Sequence, residues 1–85
     1  MHSFITDLIL DNLQFEVHFN EYYSPNGIRY FVFARDQNGD SYSFNMEEKN
    51  DEWRIINAPR IQDLFLNNEK KFSDAIIEHQ KNNTQ

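Results

Sequence analysis

Residues 13–20, Leu-Gln-Phe-Glu-Val-His-Phe-Asn, decide the fold of this chain. An apolar residue occupies every second position of this segment, and a polar residue follows each one. A strict period of two over this length predicts a β-strand with one buried face. Residues 24–27, Ser-Pro-Asn-Gly, are then typical of a tight turn, because Pro presets φ and Asn-Gly tolerates a sharp bend. We therefore expect the strand to continue into a hairpin.

Three more strands are predicted beyond this turn. Residues 28–35 form the second strand, and residues 41–47 alternate in a third strand after the turn signal Gln-Asn-Gly at 37–39. Trp53 and Ile55 indicate a short fourth strand after a polar reversal. Together these segments predict a four-stranded antiparallel meander.

The lengths of two hairpin loops determine which residues share a face of this sheet. A two-residue loop at 25–26 and a three-residue loop at 37–39, with Gly39 left-handed, place the same side chains on one face. This is the register that we expect. The predicted core face then comprises Leu13, Phe15, Val17, Phe19, Ile28, Tyr30, Val32, Ala34, Tyr42, Phe44 and Met46.

A long C-terminal helix is predicted to cover this core face. Asn57 is a suitable cap, Pro59 lies in the first turn, and the helix is interrupted at Asn67-Asn68. Its apolar positions recur every three or four residues over about five turns. They are Ile61, Leu64, Phe65, Phe72, Ala75 and Ile76.

The expected α+β domain spans residues 1–80, and a short tail follows it. Residues 3–11 predict a short N-terminal helix behind a Ser3 cap, with an extension of the first strand as the alternative. Residues 81–85 have no apolar side chain to bury, so they are expected to form a frayed polar tail.

Composition and charge restrict the classes of partner. The chain has 85 residues, a formal charge of −6 and no cysteine, so it is one small domain without disulfides or thiolate metal sites. The negative charge repels phosphate backbones, which disfavours nucleic acid and favours a basic protein partner. No segment approaches the roughly 20 apolar residues of a membrane span, and the N-terminus lacks a signal-peptide pattern. A soluble, cytoplasmic protein is expected.

Phe31 and Phe33 lie opposite the core in the expected register, among polar residues. A two-residue loop at 38–39 would instead pair Phe33 with Phe44 and bury both phenylalanines. In the expected register they form an apolar surface, which often marks an interaction site. Three kinds of cover fit this face: the N-terminal segment, a second subunit or a stacked ligand.

The sequence favours a non-enzymatic protein-interaction module that forms a homodimer. The alternatives are an acidic inhibitor or adaptor, in which the carboxylates of residues 47–52 imitate phosphates for a basic protein surface, and a single-strand nucleic-acid binder. Two helix positions also project away from the main apolar stripe and offer a second interface. The candidate interface residues are Arg29, Phe31, Phe33, Arg35, Leu66 and Ile77.

Two sequence patterns partly match functional sites, one a calcium-binding loop and the other a catalytic acid-base pair. Residues 36–47 match the ligand spacing of an EF-hand loop, but Ser41 replaces the turn glycine and both flanks alternate like strands. A plain hairpin turn is favoured, so no metal and no cofactor are expected. Glu16 and His18 share a strand face as an acid-base pair, but no nucleophile or orienting group accompanies them. We therefore predict that the protein is not an enzyme.

Overall fold

The computed structural model describes residues 3–56, 58 and 61–82. Within these residues the strands form one antiparallel sheet in sequence order, and both helices follow the last strand. The predicted α+β meander with C-terminal helical structure is confirmed, although the sheet has five strands rather than four. The elements are β1 (Ser3–Leu10), β2 (Leu13–Ser24), β3 (Gly27–Arg35), β4 (Ser41–Lys49), β5 (Glu52–Ile56), α1 (Asp63–Asn67) and α2 (Glu69–Asn82).

The additional strand is β1, and the prediction of a short N-terminal helix was wrong. Phe4 lies opposite Phe19, and Leu8 lies opposite Phe15. A two-residue loop at 11–12 joins β1 to β2, with both residues in the left-handed region at φ of 51° and 70°. Pairing with β2 satisfies backbone groups that a two-turn helix would leave open to water, so the strand is the better solution here.

Both predicted hairpin registers are confirmed. Ser24 pairs with Gly27 across the first loop, and Val32 pairs with Phe44 across the second. In the second loop, the amide of Asp36 donates to the carbonyl of Asp40 at 2.9 Å, and Gly39 has φ of 89°. The alternative register, which would have buried Phe31 and Phe33, is not the one adopted.

The core lies between the sheet and the helices. Most of the predicted core face is buried, and Phe65, Phe72 and Ile76 cover it from the helical side. Leu13 and Ile28 were wrongly placed in the core, because they lie near strand ends and are 56% and 41% exposed. The buried hydrophobic residues are Leu10, Phe15, Val17, Phe19, Tyr30, Val32, Ala34, Phe44, Met46, Trp53, Phe65, Phe72 and Ile76.

The predicted long helix is divided at Asn68, at the interruption expected from the sequence. The side-chain amide of Asn68 donates to the carbonyl of Leu64 at 2.8 Å and to the Asp11 carboxylate at 3.3 Å. The first helix begins at Asp63, later than predicted, and the Asn57 and Pro59 signals lie outside the described residues.

Helix α2 continues to Asn82, two residues into the predicted tail, while residues 83–85 lie outside the described part of the chain. Within the part of the chain that is described, no helix has both the length and the apolar character that a membrane span requires.

Candidate functional site

The sheet face turned away from the helices, here called the open face, is the main candidate interaction surface. No element within residues 3–56, 58 and 61–82 packs over it. Strict pairing in all four hairpins sends alternate strand residues to this face. Its apolar and aromatic side chains are Ile5, Ile9, Tyr22, Phe31, Phe33 and Ile56.

The N-terminal segment enlarges this apolar surface and does not cover it. Strand β1 lies in the plane of the sheet at its edge, so the hypothesis that this segment folds over Phe31 and Phe33 was wrong. Ile5 and Ile9 instead add side chains that are 62% and 58% exposed to the same face. Ile5 lies opposite His18, which in turn lies opposite Phe33, so the His18 ring joins two apolar side chains in one row across three strands.

Phe31 occupies the centre of the open face. Its side chain is 40% exposed, and its carbonyl accepts a hydrogen bond from the Asn20 side-chain amide at 3.5 Å. On the neighbouring rows, the Tyr22 hydroxyl donates to the Asn45 side-chain oxygen at 2.8 Å. This hydrogen bond holds the Tyr22 side chain across β3 and thereby orders the surface next to Phe31.

The two arginines of the predicted site flank the phenylalanines, and both lie close to carboxylates or rings. Arg29 Nη2 is 3.3 Å from Glu47 Oε2, across to the neighbouring strand. The Arg35 guanidinium carbon is 5.5 Å from the Phe33 ring centroid, and Arg35 lies directly opposite Glu16 on β2. Their positive charges are therefore largely matched within the face itself.

The strand residues of the open face carry balanced charge. Equal numbers of acidic and basic side chains point from the strands to this side, so the −6 charge of the chain lies elsewhere on the molecule. The acidic residues are Asp7, Glu16, Glu47 and Glu52, and the basic residues are Arg29, Arg35, Lys49 and Arg54.

Glu16 and His18, which the sequence places on one strand face, are hydrogen-bonded to each other, with Glu16 Oε1 and His18 Nε2 2.9 Å apart. This hydrogen bond to His18 is the main reason that the pKa of Glu16 lies below its ordinary value. The His18 ring also meets the Phe33 ring edge-to-face at a centroid distance of 5.8 Å. The pair lies on an exposed sheet surface, where it orients His18 against the phenylalanine patch.

Leu66 and Ile77 lie on the helical side of the molecule, so the structure separates them from Phe31 and Phe33. Leu66 is 45% exposed on α1. Ile77 is half-buried on α2 and packs against the core. The six predicted site residues therefore belong to two opposite surfaces.

The calcium-like segment at residues 36–47 forms a hairpin turn, as the sequence favoured. Asp36 Oδ1 accepts the backbone N–H groups of Asn38 and Asp40, each at 2.9 Å, so the carboxylate is occupied in shaping the turn. In the described part of the chain, no three His, Cys, Asp or Glu side chains cluster in a way that could hold a metal ion.

Tyr22 and Ile56 were absent from the predicted site, and so were the two isoleucines of β1, Ile5 and Ile9. The sequence signal that indicates the two isoleucines is the Asp11-Asn12 dipeptide, which suits a two-residue hairpin between two apolar segments.

No protein-family model matches this chain, and comparison with curated proteins and with solved structures gave no significant match. The functional proposal therefore depends on the geometry of this molecule.

Proposed function

We propose that this protein is a non-enzymatic interaction module that forms a homodimer through its open face. The observation that carries the proposal is an apolar centre on a sheet face with balanced charge, uncovered by any described element. Face-to-face packing of two such sheets would build a β-sandwich around Phe31 and Phe33. The dimer would thereby add a second core to a small domain.

The dimensions of the open face suit a dimer that uses the whole face. Strands about 4.8 Å apart and about eight residues long give a projected area of roughly 600 Å². Side-chain relief increases the accessible area toward the roughly 800 Å² per partner of a standard interface. The phenylalanine pair alone is too small, so the isoleucines of β1 belong to the proposed interface.

Charge supports a second copy as the occupant of this face. Two chains of charge −6 repel each other across most of their surfaces. The open face is where this repulsion is smallest, because its strand charges cancel. A twofold axis can also place Arg35 of one copy near Glu16 of the other, since both lie at the same end of the face.

The dimer is tested by light scattering at several protein concentrations, with Phe31→Ser as the disrupting variant. Leu66→Ser is the matched control, because Leu66 is similarly exposed, at 45% against 40%, on the opposite side of the molecule. Burying the remaining 40% of Phe31 contributes about 1 kcal/mol per copy, so Phe31→Ser should weaken the dimer roughly thirtyfold.

A wild-type mass of twice 10.3 kDa that only Phe31→Ser reduces would support the proposal. A monomeric wild type would refute it. Loss of the dimer with Leu66→Ser alone would move the interface to the helical side.

Acidic recognition of a basic protein is the second candidate, because the −6 charge of the chain lies off the open face. Within the predicted acidic segment 47–52, Glu47 and Glu52 are already paired with Arg29 and Arg54, at 3.3 Å and 3.0 Å, so these two carboxylates contribute less to such recognition. Such recognition would depend strongly on salt, with the dissociation constant rising as NaCl is added. A basic test protein whose binding is insensitive to salt would contradict it.

Binding of single-stranded nucleic acid is less well supported than either protein interaction. It needs exposed rings with unmatched cations for the phosphates. Arg29 lies beside Glu47, and Arg35 lies opposite Glu16, so the face offers aromatic stacking without excess positive charge.

A further inference from the structure

Helix α2 contacts the two outer edges of the sheet in different ways. The loop at 50–51 is a two-residue turn with left-handed backbone, which points the N–H groups of Trp53 and Ile55 away from the sheet. Ser73 Oγ accepts the Trp53 N–H at 3.0 Å. Glu69 Oε2 accepts the Ile55 N–H at 2.8 Å. Side chains of α2 thus occupy the β5 edge, where a further strand would otherwise pair.

Helix α2 contacts the β1 edge through Lys71, but a groove there leaves room for a further strand. The loop at 11–12 is the same kind of turn, and in the described part of the chain no strand lies on the outer side of β1. Lys71 of α2 contacts the carbonyl of Ile9, which confirms that this carbonyl points outward. By the alternation of an antiparallel ladder, the outward backbone groups belong to Ser3, Ile5, Asp7 and Ile9.

A groove lies between this edge and α2. Phe4 and Leu8 line it from the strand, and Ala75, Glu78 and His79 line it from the helix. The ring of His79 stacks on that of Phe4 with centroids 3.9 Å apart, which forms one wall. A strand added to β1 would send every second side chain into this groove and the others over the open face. The edge therefore offers both backbone pairing and side-chain contacts.

We infer that the β1 edge binds an extended segment of a partner protein by strand addition, and that this segment carries Lys or Arg opposite Asp7. Asp7 lies near the middle of the outward residues 3–9, so an incoming basic side chain would meet its carboxylate. The backbone edge of β1 lies outside the proposed dimer interface and takes a different partner, although the Asp7 side chain borders the open face.

Charge argues against a second copy on this edge. An antiparallel pair of β1 strands would bring Asp7 of each copy close to the twofold axis, which places like charges together. Asp74 and Glu78 of α2 lie along the same groove together with Lys71, whose charge offsets one of the two carboxylates. A basic segment removes this repulsion, whereas a second acidic chain doubles it.

The test uses the full chain and blocked peptides of about nine residues, the length of β1, that alternate Val with Lys. We expect saturable binding by fluorescence anisotropy and slower amide exchange at Ile5 and Asp7. In antiparallel pairing, residues opposite Asp7 turn their backbone groups to β1, so the peptide's Lys amides bond to the edge. N-methylation of the Lys amides should weaken binding at least about tenfold, whereas N-methylation of the Val amides should be tolerated.

Three further comparisons test the charge of the segment and the pairing at the edge. A peptide with Glu in place of Lys should bind at least about tenfold more weakly. Asp7→Asn should cost about two- to fivefold in affinity for the Lys peptide. Asp7→Pro should abolish binding, because it removes an outward N–H while the β1–β2 ladder remains intact. Circular dichroism checks that this variant folds, and the methylated peptides give an answer without altering the protein.

Three results would overturn the inference. The first is equal binding of the two N-methylated peptides, which would exclude strand addition. The second is equal binding of the Glu peptide, which would exclude a basic segment. The third is a wild-type dimer that Asp7→Pro alone converts to a monomer, which would show that a second copy occupies the edge.

Discussion

Replacing Ser73 with Ala should uncap the β5 edge and destabilise the fold. The Ser73 hydroxyl accepts the Trp53 N–H at 3.0 Å, and both residues are almost fully buried. An unsatisfied buried N–H costs about 1–3 kcal/mol. The higher helix propensity of alanine offsets about 0.5 kcal/mol of this loss of stability. The expected net loss is therefore about 1.5 kcal/mol, or roughly 6–12 °C in Tm for a domain of this size.

The assay is urea unfolding and thermal melting at one fixed protein concentration, because self-association would shift both. Asp74→Ala is the control: it makes the same helix-propensity gain at the next position but loses only an exposed ion pair with Lys70. The free energy of unfolding of Asp74→Ala should stay within about 0.5 kcal/mol of the wild-type value. Faster amide exchange at Trp53 should accompany the Ser73→Ala loss. Equal stability of the two variants would refute the edge-capping argument.

Two further predictions concern buried and strained positions. Burial raises the pKa of Tyr30 from 10.0 to about 12, with the Glu21 charge as a second cause. The folded state thus favours the neutral phenol, so this contribution to stability is complete below pH 10.0 and disappears as the pH rises toward 12. Between pH 10.0 and about 12, the free energy of unfolding in urea should fall less for Tyr30→Phe than for the wild type. An equal fall would contradict the effect of burial on Tyr30. Asp51→Gly should raise stability by up to about 1 kcal/mol, because Asp51 has φ of 67° in a turn that prefers glycine. A lower Tm would contradict this.

The sequence was sufficient for the strand registers because local chemistry sets them. Pro25-Asn26 favours a two-residue loop, and a left-handed Gly39 favours a three-residue loop over the two-residue alternative at 38–39. A loop length then determines the pairing of the strands on either side. The break at Asn68 was also local, since this side chain bonds to the carbonyl of Leu64. The position of Phe31 and Phe33 on the open face followed directly from these registers.

The N-terminal strand was missed because its apolar pattern satisfies two periods. Phe4 and Leu8 are separated by a helical interval, as are Ile5 and Ile9, yet each pair also lies on one face of a strand. A strand with apolar residues on both faces cannot be distinguished from a short helix by spacing alone. The long-range pairing with β2 decides between them, and so the exposed isoleucines of the candidate site could not be placed from the sequence.

The two proposed surfaces use perpendicular directions of the same sheet and meet only along β1, where Ile5, Asp7 and Ile9 border the open face. Packing through the open face stacks one sheet on another, whereas strand addition extends a sheet at β1 within its plane. A face-to-face dimer would keep both β1 edges at its rim, and α2 would keep both β5 edges closed through Ser73 and Glu69. Extension of each sheet would thus proceed in one direction only. This closes the route to open-ended sheet growth, which an exposed apolar edge strand otherwise permits. One helix that blocks one edge and flanks the other can in this way support a finite assembly with a bound partner segment on each copy.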